Sequence, residues 1–123
     1  MDEIFIDEII KYKTKRKSKG DYSYGGFYLI TDCDMKPIYV GKSIDYMLRL
    51  KNHLTNAKSN RGIVVDNIIS SMSNARYFLI ESYNNLEINF FTRSLEVYYE
   101  NKYINKYNTF TPNGYNFTYY GNL

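Results

Sequence analysis

The spacing of hydrophobic and polar positions changes several times along the chain, and each change predicts an element. Residues 2–13 carry Ile4, Phe5, Ile9 and Tyr12 at near-helical spacing, which predicts a short amphipathic helix. Two runs then read as strands, Phe27-Tyr28-Leu29-Ile30 within 26–31 and Pro37-Ile38-Tyr39-Val40 within 37–41, joined by the polar stretch Asp32-Cys33-Asp34-Met35-Lys36. The join has hairpin length, and Pro37 can open a strand where no amide hydrogen is needed. After Gly41 the period becomes helical. Ser43 or Asp45 is the candidate cap, with Met47, Leu50 and Leu54 on one face and Arg49 and His53 on another. Residues 55–62 are polar and read as a loop, and Ile63 to Met72 predicts a second helix with Val64, Ile68, Ile69 and Met72 inward. Tyr77-Phe78-Leu79-Ile80 reads as a third strand. Thr92 to Tyr107 is the longest helical segment, and Pro112-Asn113-Gly114 is a turn before an irregular tail from Tyr115 to Thr118.

The order β-β-α-α-β-α predicts an α+β fold, a small three-stranded antiparallel sheet flanked by helices with a basic N-terminal extension. A chain of 123 residues fits one domain and can bury a modest core. Its single cysteine, Cys33, excludes an internal disulfide and a Cys-rich zinc cluster, which suits a reducing cytoplasm. No apolar run approaches the roughly 18–20 residues of a membrane span, and the N-terminus carries acids where a signal peptide carries bases. The expectation is a soluble, cytoplasmic protein without a membrane partner.

Charge divides the chain. The net charge is +3, yet Lys11, Lys13, Lys15, Arg16, Lys17 and Lys19 crowd six positive charges into one stretch without a carboxylate. Without them, 10 basic residues remain against 13 acidic ones and the balance turns to −3. Residues 1–22 therefore read as a basic helix and arm, a candidate nucleic-acid contact or equally a solvated tether, and 23–123 as the folded domain. The 15 tyrosines decide nothing by themselves.

Candidate chemistry sits in the strands and the two longer helices. Gly26-Phe27-Tyr28 and Tyr39-Val40-Gly41 each set a tyrosine near a glycine inside a strand, and glycine there predicts a bulge or a close approach by another backbone or ligand. Arg49 and His53, four apart, share a helix face, and on spacing alone an ordinary solvated face is the commoner explanation. His53 is the sole histidine, so no multi-histidine metal site is possible. Glu96 and Glu100 are also four apart and read equally as helix surface supporting Lys102 and Lys106.

Taken in order, these motifs resemble the GIY-YIG nuclease family. The two tripeptides stand where the family has its signature pair. Tyr39-Val40-Gly41-Lys42-Ser43 leads into a helix with Arg49 and Leu50-Lys51-Asn52-His53. Glu100 precedes Ile104 by four residues, and Asn113-Gly114-Tyr115-Asn116 closes the pattern. The resemblance covers residues 24–118 and is nearest the catalytic domain of homing endonucleases. It departs in Phe27, where isoleucine or valine is usual. Another departure is the lack of a second histidine, in whose neighbourhood Lys58, Asn60 or Arg61 falls.

The resemblance implies a DNA endonuclease of homing or phage type using one Mg²⁺ or Mn²⁺. A repair or restriction nuclease, or a catalytically silent DNA-binding module of the same fold, is the alternative. It assigns catalytic roles to Tyr28, Tyr39, Arg49, His53 and Glu100. Glu100 is the metal ligand, with Glu96 as substitute. Substrate contacts fall to Lys42, Ser43 and Asn116, and the basic arm adds Lys15, Arg16 and Lys17. Double-stranded DNA is the implied partner. Target recognition is left to a separate domain or protein, so the chain reads as a stand-alone nuclease or as a domain of a longer one.

Overall fold

In a computed structural model, residues 1–15, 18, 20–59, 64–71 and 74–117 are described. The elements run β1 (Asp2–Ile4), α1 (Ile6–Lys11), β2 (Gly26–Thr31), β3 (Pro37–Ser43), α2 (Tyr46–Ser59), α3 (Val64–Ser71), β4 (Arg76–Ser82), a 3-10 turn at Phe90–Thr92, and α4 (Arg93–Tyr107). The four strands form one antiparallel sheet in the order β1-β4-β2-β3. Among the described residues, no helix is long and apolar enough to cross a membrane.

The α+β class and the antiparallel sheet hold as expected, with one strand more. The helix expected over 2–13 begins only at Ile6, because Asp2-Glu3-Ile4 pairs with Leu79, Phe78 and Tyr77 of β4. Three residues, two of them acidic, carry no strand signal. Their conformation comes from the waiting edge of β4, a tertiary effect that overrides local propensity. Arg76 of β4 clamps Glu3 with a two-pronged contact at 2.8 and 2.6 Å, which fixes the register. Ile4 and Ile9 are buried in the core, so the first turns of the chain belong to the domain's packing.

β2 is buried along its whole length because both faces of the sheet are covered. Strand alternation sends Tyr28 and Ile30 to one side, where they meet Ile9 of α1, Leu50 and Ala57 of α2, and Val65 and Ile69 of α3. Phe27 and Leu29 go to the other side, against Tyr83, Ile88, and Tyr103 and Ile104 of α4. Asp45 caps α2 by accepting from the Leu48 amide at 3.1 Å. Asn89 and Thr92 exchange side-chain bonds that turn the chain into α4, and Asn108, left-handed at φ 56°, ends it. The result is a three-layer stack with β3 at one edge, next to both α2 and α4.

Candidate active site

Gly41 is the cross-strand partner of Tyr28. A Cβ at position 41 would stand 2.1 Å from Tyr28 Cζ and 2.2 Å from its hydroxyl oxygen. The glycine therefore lets the phenol lie across β3, the close approach expected from a glycine in a strand. The Tyr28 hydroxyl lies 2.8 Å from His53 Nε2, and His53 Nδ1 contacts Asp66 Oδ1. Tyr28 and His53, and Tyr39 and His53, meet edge to face with ring centres 5.6 and 5.8 Å apart.

His53 is thus not on a solvated helix face: it is fully buried and bonded at both nitrogens. The apolar stripe of α2 extends around to it because α3 closes over that side and supplies a polar partner. Arg49, one turn earlier, is half-buried and stands near enough to act on both neighbours.

Burial decides the protonation states at this end. It raises the Tyr28 phenol well above its ordinary range, Tyr39, Glu100 and Asp66 push the same way, and Arg49 opposes them without prevailing. Burial and then Arg49 push the His53 imidazole below its ordinary range, against the pull of Asp66. Lys42 Nζ reaches the other end of the site, where it bonds Glu96.

That other end holds two carboxylates in different surroundings. Glu96 accepts from Lys42 Nζ at 2.9 Å and from the Tyr83 hydroxyl at 2.5 Å, so both of its oxygens are engaged. Glu100 is 4% exposed, and its Oε1 is one of two buried side-chain atoms without a hydrogen-bond partner among the described residues, the other being Thr109 Oγ1. Burial raises the Glu100 carboxyl to about 7, Glu96 adds to this, and Lys42 opposes it. A buried carboxylate oxygen without a donor suits a hard cation. Among the described residues no group of three or more His, Cys, Asp or Glu could enclose a metal. A single carboxylate nevertheless fits Mg²⁺, which commonly keeps waters and takes its remaining ligands from a phosphate.

The other sequence candidates divide. Tyr39 is half-buried beside Tyr28 and His53. Ser43 Oγ donates to the Asp45 carbonyl and accepts from the Asp45 amide, so it shapes the turn from β3 into α2. Asn116 is buried, and its amide is engaged with backbone: Oδ1 accepts from Val40 N at 2.8 Å and Nδ2 donates to Val40 O at 2.9 Å. It holds the strand between Tyr39 and Gly41. Lys15 lies over the Tyr24 ring, 5.6 Å from its centre, while Arg16 and Lys17 fall outside the described residues, as do Asn60, Arg61 and the side chain of Lys58.

Two residues of the site carry no sequence motif. Asp66 lies on α3 beside Val65 and Ile69, both buried, so its one legible sign is a carboxylate interrupting an apolar stripe. Tyr83, packed where Gly25 leaves room for its ring, gives no sign at all.

The arrangement brings a phenol, an imidazole, a guanidinium and an unpartnered carboxylate to one edge strand, the groups that phosphodiester hydrolysis calls for. Comparison with curated proteins and with solved structures gives no significant match. The family model of the GIY-YIG catalytic domain matches residues 24–116, from before the first tripeptide to Asn116, and the chain belongs to the GIY-YIG nuclease family.

Proposed function

We propose that this chain is a divalent-metal-dependent DNA endonuclease that hydrolyses phosphodiester bonds with one Mg²⁺ or Mn²⁺. Family membership supplies nuclease and hydrolase activity in general, and family members generally depend on a divalent metal. The observation that carries the finer reading is the buried, unpartnered Oε1 of Glu100, placed where the Glu100 charge reaches the Tyr28 hydroxyl.

Glu100 would hold the ion, which when bound would supply charge neutralisation at the phosphate. Arg49 grips the phosphate through its guanidinium fork. Tyr28 takes the proton from the attacking water, helped by His53, with the Tyr39 ring packed against both. Lys42 and Tyr83 hold Glu96 in place one helical turn from Glu100. Lys11, Lys13, Lys15 and their neighbours meet the phosphate backbone of double-stranded DNA, which gives salt-dependent affinity without sequence choice. A recognition domain or protein outside this chain selects the target, as in a homing or phage enzyme.

Nicking of supercoiled plasmid in Mg²⁺ or Mn²⁺, and no nicking in a chelator, is the expected result. Wild-type protein that binds plasmid but leaves it intact with either ion, at any salt concentration, refutes the proposal and marks a silent binding module.

A further inference from the structure

Tyr28, His53 and Asp66 form a buried chain across three elements, β2, α2 and α3. We infer that Asp66 is a positioning residue that accepts the Nδ1 proton of His53 and so fixes the tautomer whose bare Nε2 faces the Tyr28 hydroxyl. The catalytic part of this inference rests on the hydrolytic reading above; the tautomer does not.

Donors and acceptors decide the tautomer. A neutral imidazole has one N–H, and a carboxylate oxygen offers only lone pairs. With Asp66 Oδ1 against Nδ1, that nitrogen must carry the hydrogen, and Nε2 is left as the acceptor for the phenol. The reverse tautomer would set two lone-pair atoms against each other at a contact from which water is excluded, since His53 and Asp66 are both fully buried. Charged and polar groups that also act on this chain are Arg49 from α2, Tyr39 from β3 and Glu100 from α4. Arg49 disfavours a positive imidazole, and Asp66 is the partner that offsets it when a proton arrives.

In the hydrolytic step Tyr28 takes a proton from the attacking water while its own hydroxyl proton passes to Nε2. The water oxygen bonds to phosphorus as the bond from phosphorus to the leaving oxygen breaks. The leaving oxygen departs with the electron pair and takes a proton from solvent. The proton on Nε2 then returns through Tyr28 to water. A purely structural pairing, in which His53 and Asp66 merely pin α2 to α3, makes no demand on which nitrogen is bare.

His53 is the sole histidine, so a long-range ¹H–¹⁵N NMR spectrum of labelled protein contains one imidazole. At neutral pH the wild type should show Nδ1 protonated and Nε2 bare; the opposite tautomer overturns the inference without any variant. In Asp66→Asn the amide can donate to Nδ1, so the opposite tautomer should appear and the kcat for plasmid nicking should fall about 10²-fold, with KM little changed. A folded Asp66→Asn protein with the tautomer reversed and kcat at the wild-type level refutes the catalytic part. Should that variant fail to fold, the wild-type spectrum decides. Wild type with the expected tautomer but no cleavage refutes the hydrolytic reading and the relay's catalytic purpose, leaving the tautomer assignment standing.

Discussion

The two ends of the site are built on opposite principles. At the Tyr28 end, the polar atoms that meet inside the protein are matched: hydroxyl to imidazole, imidazole to carboxylate. At the Glu100 end, a carboxylate oxygen is buried and has no hydrogen-bond partner among the described residues. A matched buried network is rigid and holds one geometry. An unmatched buried oxygen is unfavourable by itself, and its natural resolution is a ligand. The same contrast recurs within α4, where Glu96 is saturated and Glu100, one turn on, is not.

Substitutions test that contrast most sharply at Glu100. Glu100→Gln should abolish metal-dependent nicking, by about 10³-fold or more if it removes the charge that holds the ion. The same change should leave the metal-free protein as stable as wild type or more so. Loss of activity together with a lower melting temperature near pH 8 would mean that Glu100 is structural. Arg49→Ala should reduce nicking by about 10²–10³-fold without unfolding the protein, seen as a lowered single-turnover rate with the tryptic digestion pattern unchanged.

Glu96→Gln is the control that separates the two carboxylates. It keeps an acceptor for Tyr83 but removes the charge opposite Lys42, and should lower stability by about 1 kcal/mol, since the pair is partly exposed. It should still cut, and its activity should reach further into acid, because Glu96 is one of the causes that raise the Glu100 carboxyl. If Glu96→Gln is dead and Glu100→Gln active, the assignment of the two is reversed.

Acidity acts on both ends in opposite senses: with the His53 imidazole held below its ordinary range, stability falls as pH drops below 6.5, whereas the Glu100 contribution falls as pH rises. Glu100 in the fold titrates at about 7 against 4.5 for an ordinary glutamate carboxyl, so the folded protein holds its proton more tightly than the unfolded chain does. The stability it contributes is present below pH 4.5 and lost as pH rises toward about 7. In the metal-free protein, the melting temperature of Glu100→Gln minus that of wild type should rise across that window, since the His53 component is common to both and cancels. Mn²⁺ binding measured by calorimetry should run the other way and strengthen as pH rises through about 7, with protons released on binding.

The smallest effect is expected farthest from the contrast. Lys11, Lys13 and Lys15 changed together to Gln should reduce the slope of log affinity against log salt by about one unit for each phosphate that is no longer neutralised. Deleting the segment would be the wrong experiment, since Ile4 and Ile9 go with it from the core. An unchanged slope would assign these lysines to solubility alone.

How much of this was legible depended on whether a local pattern carried the information. Strand alternation around Tyr28 and Tyr39, the cap at Asp45 and the long helix from Arg93 are local, and the sequence shows them within a residue or two. The strand at Asp2–Ile4 is not local, for it exists through its pairing with β4. At the site, motif order pointed to Tyr28, Arg49, His53 and Glu100. It did not reveal that His53 is sealed inside, because that depends on α3 closing over α2. Asp66 escaped notice for the same reason: its partner is 13 residues earlier, on another helix. Spacing could not choose between Glu96 and Glu100, since what distinguishes them is Lys42 from β3 and Tyr83 from beyond β4.

Asn116 has a consequence beyond the site. β3 is an outer strand of the sheet, and the amide and carbonyl of Val40 are the pair through which a strand from another molecule would add itself there. The side chain of Asn116 occupies both, and the Tyr115 amide takes the Ile38 carbonyl two residues earlier. One amide thus imitates a missing strand. In a protein with so many aromatic and β-branched residues, that stretch of the border is already paired from within.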